Sequence, residues 1–495
     1  MSLLPNLGSI GSGVSDFYNG VATQSLRFDG SAYLSFNPSS ASSATDRRKV
    51  THSFWVKRCK VGATQYMYTS KVAGSDFHIF GFNADDTIQV TINASNSNFS
   101  YKTTAKFRDT SAWYHFVLII DTTQSTDTNR VKLYVNGDNV TLPKEYSNYV
   151  SLNYSTLVMN DVDDRVGQFS WNNSASLDAY MAESILTIGQ DNTIDQFGEV
   201  KNGVWIAKEY EGSYGGNGFR FQFDQVGVGT ASSSTIGADT SGEDNHWTSN
   251  GIVASDCNMP DSPENNFCTF NPLDKNGMTL TEGNLETNKG GNSNTLAVNG
   301  NFLLTSGKWY WEIGHKFING GSGAFGHVGV RNESAVLSAS IASGNASGAS
   351  TADATLLDMF DGEVQDFNSE TSYETGGSGN SYGGAGAEFV YGIALDMDNG
   401  KIWFSTGGAY PNSGNPANGS NPARDDINTN HPNGCIPTVQ SYNVAWIANF
   451  GQNPSFNGNN ANSGHSVGDE TDANGNGLFL YAPPAGYLAV CSANL

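Results

Sequence analysis

Short runs of alternating apolar and polar residues recur along this chain, and each run ends at a turn residue. In RVKLYVNGDNVTL, Val131, Leu133 and Val135 share one face, and Asn136-Gly137 follows as a tight turn. A period of two is that of a β-strand, and Asn-Gly is well suited to a two-residue hairpin loop. No window in the first half carries a helical period over ten or more residues. The pattern predicts an antiparallel β-sandwich.

Charge and apolar length exclude two classes of partner. The 495 residues are enough for about two to four domains. Acidic residues outnumber basic ones 48 to 25, for a net charge of −23. Nucleic-acid binding needs a basic patch, which this balance argues against. The most apolar stretch, residues 113–120, is far shorter than the roughly 20 residues of a membrane span. We therefore expect neither a nucleic-acid partner nor membrane insertion.

Two blocks in the first half make specific predictions about strands. In SLRFDGSAYL, Leu26 and Phe28 lie on one face before the Asp29-Gly30 turn, and a return strand is expected from Tyr33. The block WYHFVLII is apolar on both faces, which predicts a central strand that is covered on both sides.

The order of the blocks in the first half points to a family. SLRFDGSAYL is followed by SFWVK, AWYHFVLIIDTT, NRVKLYVNG and LDAYMAESILTIGQ. This series resembles a laminin G-like domain of the concanavalin A-like lectin superfamily, over residues 23–200. The resemblance implies a jelly-roll sandwich.

A second series of blocks lies further along the chain. SGKWYWE, HVGVR, YGIALDMDNGKIWFS and NVAWIANFGQNPSF resemble a SPRY/B30.2-like domain, another concanavalin-like sandwich. The resemblance spans about 265–458 and is interrupted by Gly/Ser-rich insertions at about 333–387 and 407–433. The tail beyond Pro483-Pro484 is predicted to pack back as a final strand.

The predicted fold class is all-β, with tandem concanavalin A-like antiparallel β-sandwiches (jelly rolls) and a short N-terminal arm. The arm is residues 1–22, the first sandwich 23–200, a structured connector 201–264 and the second sandwich 265–495. This layout, closed by the APPAGY and CSANL tail, resembles virion proteins of tailed bacteriophages, chiefly marine ones.

That resemblance implies a place and a role. The protein is expected in the virion, at the tail or particle surface, as a tail fibre or adhesin that binds host cell-surface glycans. Its N-terminal arm is expected to dock on other virion proteins. A homo-oligomer is expected, and phage fibres are usually trimers, although no coiled-coil heptad supports this. The alternatives are a capsid decoration or head-fibre protein without a receptor role, and a polysaccharide-degrading enzyme.

The sequence does not favour the enzyme. The E-x-D-x-x-E and E-x-D-x-E strands that would place alternate carboxylates in one cleft are absent. A nucleophile-elbow match at residues 379–383 lacks the strand before it and the helix after it. We therefore predict no catalytic residues.

Candidate ligand residues come from loops. Lectins bind glycans through an aromatic platform beside Asn, Asp and backbone groups, and four aromatic residues have such surroundings: Trp171, Tyr410, Trp205 and Trp247. Each has an alternative role in core packing.

The densest acidic loop is NDVDDR, and laminin G-like domains sometimes hold one calcium ion at the sandwich rim. Asp161, Asp163 and Asp164 are the candidate ligands. The alternative is a solvated loop with Arg165 as counter-ion. No other cofactor is expected.

Overall fold

The computed structural model describes most of the chain. The described ranges are 17–73, 76–94, 97–146, 148–288, 296–317, 325–333, 354–359, 362–366, 369–373, 390–442, 444–458 and 468–495. These residues form two compact units, and the chain passes from the first to the second between Asn266 and Phe267. Most of the predicted arm, residues 1–16, lies outside the described residues.

The first unit is built from sixteen described strands. They are β1 (Leu26–Asp29), β2 (Tyr33–Phe36), β3 (Lys49–Arg58), β4 (Gln65–Ala73), β5 (Asp76–Phe82), β6 (Ile88–Ala94), β7 (Ser97–Lys102), β8 (Tyr114–Asp121), β9 (Val131–Val135), β10 (Asp138–Val140), β11 (Asp163–Val166), β12 (Asp178–Ile188), β13 (Gly198–Lys201), β14 (Val204–Ala207), β15 (Phe219–Phe221) and β16 (Thr248–Asn250). One sheet has the order β1-β12-β3-β8-β9-β10, with β15 also paired to β12. The other has the order β16-β2-β11-β4-β5-β6-β7, and β13-β14 is a separate hairpin.

The alternation in the sequence decides which side chains fill this sandwich. In β8, Leu118 points into the main core while Val117 belongs to a second apolar cluster with Tyr210 and Tyr214. The prediction of a central strand covered on both sides is confirmed. β8 lies between β3 and β9 in the sheet, and an apolar cluster packs on each of its faces. The predicted Asn136-Gly137 turn is also confirmed: it joins β9 to β10, and both residues have positive φ.

The predicted hairpin at Asp29-Gly30 is wrong. β1 pairs with β12 in one sheet, whereas β2 pairs with β11 and β16 in the other. The Asp29 carboxylate accepts hydrogen bonds from the backbone N–H groups of Ser31 and Ala32 at 2.8 and 2.9 Å. This Asx-type turn ends β1, and the chain crosses to the opposite sheet.

The segment 201–264, which the sequence predicts to be a connector, contributes strands to the first sandwich. β15 extends the edge of β12 and β16 extends the edge of β2. These strands have three residues each, too few to show an alternating pattern. At the segment's end, the Glu264 carboxylate accepts hydrogen bonds from the backbone N–H groups of residues 20–22. The described end of the predicted arm is thus fixed to the first unit.

The second unit has fourteen described strands. They are β17 (Phe270–Asn276), β18 (Leu280–Thr281), β19 (Glu286–Thr287), β20 (Leu296–Gly300), β21 (Lys308–Phe317), β22 (Phe325–Asn332), β23 (Ala354–Asp358), β24 (Glu363–Asp366), β25 (Ser369–Ser372), β26 (Val390–Asp396), β27 (Lys401–Thr406), β28 (Cys435–Tyr442), β29 (Val444–Asn449) and β30 (Leu488–Ala489). The two sheets have the orders β17-β20-β28-β22-β23-β24-β25 and β18-β19-β29-β21-β26-β27.

The predicted insertions are partly regular structure. Strands β23 to β25 lie within 333–387 and extend one sheet, while residues 334–353 and 374–389, including the elbow-like match, lie outside the described residues. The second insertion holds 3-10 turns and the helix α1 (Ile427–Asn430). The described residues contain no helix that is long and apolar enough to span a bilayer.

The tail packs back, as the sequence predicts. β30 pairs in parallel with β21, beside the β21–β26 pair. The buried Glu312 carboxylate on β21 accepts hydrogen bonds from the backbone N–H groups of Leu480 and Tyr481. Burial raises the pKa of Glu312 to about 7.

Candidate glycan-binding groove

An open groove lies on the outer face of strands β4 to β7 in the first unit. Its volume is about 440 Å³, within the range of ligand-binding pockets. The lining combines aromatic rings with amides and hydroxyls: Tyr66, Phe77, Ile79, Gln89, Thr91, Asn93, Ser100, Tyr146, Phe169, Trp171 and Asn172.

The polar floor follows from strand alternation in β6. The apolar residues Ile88, Val90 and Ile92 are buried in the core of the sandwich. The residues between them, Gln89, Thr91 and Asn93, line the groove on the opposite side of the sheet. Since successive side chains of a strand point to opposite faces, one sequence run supplies both core and floor.

Hydrogen bonds hold this floor in place. The Gln89 amide donates to the Thr91 hydroxyl at 2.9 Å. Thr91 faces Ser100 on β7, and their hydroxyl oxygens lie 3.1 Å apart. The Ser100 hydroxyl donates to the Glu145 carboxylate at 2.6 Å. The floor is therefore arranged before any ligand arrives, which lowers the entropic cost of binding.

Aromatic rings form one wall of the groove. Phe169 contacts Tyr66 and Phe77 edge to face, with ring centroids 5.5 and 5.8 Å apart. The Tyr66 ring lies against Gly81, where a Cβ atom would come within 2.8 Å of it. A side chain at position 81 would therefore clash with the backbone of β4 as well as with this ring.

Trp171 stands beside that wall, at the tip of a short loop. The bridge between Phe169 and Ser174 closes the loop, and the Ser170 N–H donates to the Thr69 hydroxyl on β4. The residue is 51% exposed, and the Lys71 ammonium lies over its indole ring. An exposed ring in a fixed loop can stack on an apolar ligand face.

Tyr146 completes the lining and was not identified from the sequence. The segment before it runs along the edge of β7: the Lys102 N–H donates to the Pro143 carbonyl, and the Glu145 N–H donates to the Ser100 carbonyl. Tyr146 is 53% exposed. Its loop, LPKEYSNY, has the aromatic residue in polar surroundings that identified Trp171, and that signal could have found it.

The other three aromatic candidates do not line the groove. Trp247 is fully buried in the core, stacked on Phe36, so its prediction as a glycan platform is wrong. Trp205 lies on the β13-β14 hairpin and its indole N–H donates to His115 at 2.9 Å. Tyr410 is half-buried against an apolar cluster of the second unit, and burial raises its pKa. Bulky aromatic residues in Gly- and Asn-rich segments serve packing here.

The structure does not bring the three candidate calcium ligands together. Asp163 pairs with Arg165 at 2.8 Å, as the counter-ion alternative describes. Asp164, the next residue of β11, points into the sandwich and accepts hydrogen bonds from the hydroxyls of Tyr68 and Ser70. Its burial raises its pKa to about 7. Adjacent strand residues point to opposite faces, and Asp161 is exposed on the loop before them. No group of three or more His, Cys, Asp or Glu residues suited to a metal ion occurs in the described residues.

The described residues that line the groove include no carboxyl and no imidazole group. Glycoside hydrolysis needs two carboxyl groups on either side of the scissile bond. None of the described residues that line the groove is Asp, Glu or His. The arrangement is suited to holding a ligand by contact and hydrogen bonding.

Comparison with known proteins agrees with this fold. A family model described as the concanavalin A-like lectin/glucanases superfamily, of the laminin G type, matches residues 28–183. No curated protein matches the chain.

Several solved structures are similar to parts of this chain at low sequence identity and low TM-score. The SPRY domain of human HERC1 is 20% identical over 36% of this chain and 96% of its own, with a TM-score of 0.26. Mouse laminin alpha1 domains LG4-5 are 9% identical over 90% of this chain and 86% of their own, with a TM-score of 0.27. A Bacteroides ovatus protein described as carbohydrate binding is 17% identical over 47% of this chain and 59% of its own, with a TM-score of 0.31.

These findings define a class of domain. The chain is nearly all-β, with antiparallel sheets consistent with tandem concanavalin A-like jelly rolls. Residues 28–183, which match the laminin G-type model, lie within the predicted first sandwich of 23–200.

Proposed function

We propose that this protein is a non-enzymatic adhesin that binds host-surface glycans in the groove on β4 to β7. The observation that carries the proposal is the pairing of two half-exposed aromatic residues, Trp171 and Tyr146, with a preformed amide and hydroxyl floor. Sugars present apolar C–H faces and many hydroxyl groups, so a lining of this composition complements both. The lectin-like fold of the same unit supports the proposal.

Glycan-array binding of the full chain tests the site. Trp171→Ala and Tyr146→Ala are each expected to weaken binding at least about tenfold, as loss of a central aromatic contact does in other interfaces. Val200→Ala is the matched control, because Val200 is exposed on the β13-β14 hairpin and does not line the groove. Release of reducing ends from a bound polysaccharide would instead support the enzyme alternative.

We further propose that the adhesin belongs to a bacteriophage virion, as a tail fibre or another surface protein. The order of a laminin G-like unit, a SPRY-like unit and the APPAGY tail supports this assignment by resemblance. Immunogold labelling of intact particles with antibody to the second unit tests it. Gold at the tail supports the adhesin, gold over the head supports a decoration protein, and absence of gold contradicts the virion assignment.

A further inference from the structure

We propose that the groove selects an uncharged oligosaccharide segment and rejects acidic polysaccharides. This inference rests on the proposed function and names its ligand class. It depends on the chemistry of the lining, on the charged groups around it and on the extent of the groove across the sheet.

Every described lining residue is uncharged. Gln89 and Asn172 offer accessible amides, while the Asn93 amide and the hydroxyls of Thr91 and Ser100 form the buried part of the floor. These groups both donate and accept hydrogen bonds, as sugar hydroxyls do. A carboxylate or sulfate ligand would need cationic donors to offset its desolvation, and the described lining supplies none.

Among the described residues, charged side chains of both signs contact the lining. The Lys71 ammonium lies over the Trp171 ring, and the Glu145 carboxylate accepts the Ser100 hydroxyl. With one charge of each sign, these contacts give the groove no net positive charge that would attract an acidic ligand. The net charge of −23 adds a long-range repulsion toward polyanions.

The groove is wider than one sugar ring. Trp171 stands on the loop bonded to β4, and Tyr146 follows the segment paired with the outer edge of β7. β4 and β7 are three strand spacings apart, or about 14 Å. Aromatic contacts at opposite sides of these four strands fit a short run of linked sugars rather than a single monosaccharide.

The test uses the full chain on an array that prints neutral oligosaccharides beside their sialylated, sulfated or uronic-acid counterparts. We expect binding to neutral oligosaccharides, at least tenfold weaker binding to the acidic counterparts, and less than a twofold change between low and high salt. Free monosaccharide at matched concentration should not compete. Gln89→Lys should raise binding to the acidic counterparts, while Val200→Ala should change neither signal.

The outcomes separate this inference from the proposed function. Binding restricted to acidic glycans and lost at high salt would overturn the selectivity and leave the adhesin in place. Equal competition by a monosaccharide would overturn the oligosaccharide segment. Binding to no glycan would overturn both proposals, as would glycan binding that Trp171→Ala and Tyr146→Ala leave unchanged.

Discussion

A later segment of the chain covers an outer sheet face in the second unit, whereas an outer sheet face of the first unit is open. In the second unit, Tyr310 and Trp403 are covered by Phe479 and Tyr487 of the tail, and all four are fully buried. In the first unit, the face of β4 to β7 stays open and forms the groove. A sheet face therefore becomes a second core or a binding surface according to whether a later segment of the chain covers it.

Covered sheet faces are apolar, and the open face is polar. Strand β8 is apolar on both sides, and Tyr210 and Tyr214 cover the side that faces away from the main core. Strand β6 is apolar on one side and carries amides and a hydroxyl on the other. Burying unpaired polar groups is costly, so a face of the β6 type stays in contact with water or with a polar ligand.

The largest expected effect comes from removing a covering residue. Tyr487→Ala should lower the free energy of unfolding by about 3–5 kcal/mol, because it empties a fully buried aromatic site. Trp171→Ala, on the open face, should change it by less than about 0.5 kcal/mol. Chemical denaturation of both variants checks this. Equal losses would mean that the two faces do not differ in cover.

The carboxylate that holds the tail should make stability depend on pH. Burial raises the pKa of Glu312 from its usual 4.5 to about 7, so between these values the folded state keeps a proton that the unfolded state releases. Its contribution is greatest below pH 4.5 and is lost as the pH rises through about 7. Glu312→Gln cannot titrate, and its stability relative to wild type should rise by on the order of 3 kcal/mol across that window.

Thermal unfolding of wild type and Glu312→Gln at several pH values in this range measures the difference. Glu470→Gln, at an exposed position of the same tail, is the control, and its plot of stability against pH should run parallel to that of wild type. If the plot of stability against pH for Glu312→Gln also runs parallel to that of wild type, the pKa of Glu312 is not raised.

A comparison of two glycines tests how much the Trp205 contact contributes to holding the β13-β14 hairpin against the first unit. Gly137 and Gly203 both have positive φ, but a Cβ at Gly137 would meet the Trp205 ring at 2.5 Å, whereas a Cβ at Gly203 meets nothing within 4 Å. Gly203→Ala should cost about 1–2 kcal/mol from backbone strain alone. Gly137→Ala should cost about 1–3 kcal/mol more from the clash. Equal losses in thermal unfolding would show that the Trp205 contact does not hold the hairpin.

The smallest expected effect is that of calcium. The carboxylates of Asp163 and Asp164 point to opposite faces of β11, so millimolar calcium chloride should leave the melting temperature of the first unit unchanged. Calorimetry with calcium and with a chelator measures this. A stabilising shift that the double variant Asp161→Ala, Asp163→Ala abolishes would restore the calcium site.

Sequence patterns predicted the parts of the fold that depend on neighbouring residues. The Asn136-Gly137 turn, the doubly covered strand β8 and the return of the tail were all visible as local patterns, and all are confirmed. Sequence patterns gave a wrong prediction where the same turn signal can either form a hairpin or end a strand. The Asp29-Gly30 pair ends a strand, but the chain crosses to the other sheet.

The candidate site was predictable only in part. Trp171 could be selected as an aromatic residue in a polar loop, yet the same criterion also selected Trp247, which is buried in the core. The criterion measures the polarity of the sequence neighbours, whereas exposure depends on what packs above the ring. Phe219 and Phe221 lie far before Trp247 in the sequence, yet both rings contact the Trp247 ring edge to face.

The sequence by itself determined the longer strands and their apolar faces, and it placed amides and a hydroxyl on the opposite face of β6, because the alternation of a strand lies in adjacent residues. Only the tertiary structure decided which face stays open and that Tyr146 and Trp171 line one groove. Those outcomes depend on segments distant in the chain: a tail or hairpin that covers one sheet, and a loop and an edge segment that leave another open. Packing between remote segments leaves no local period to read.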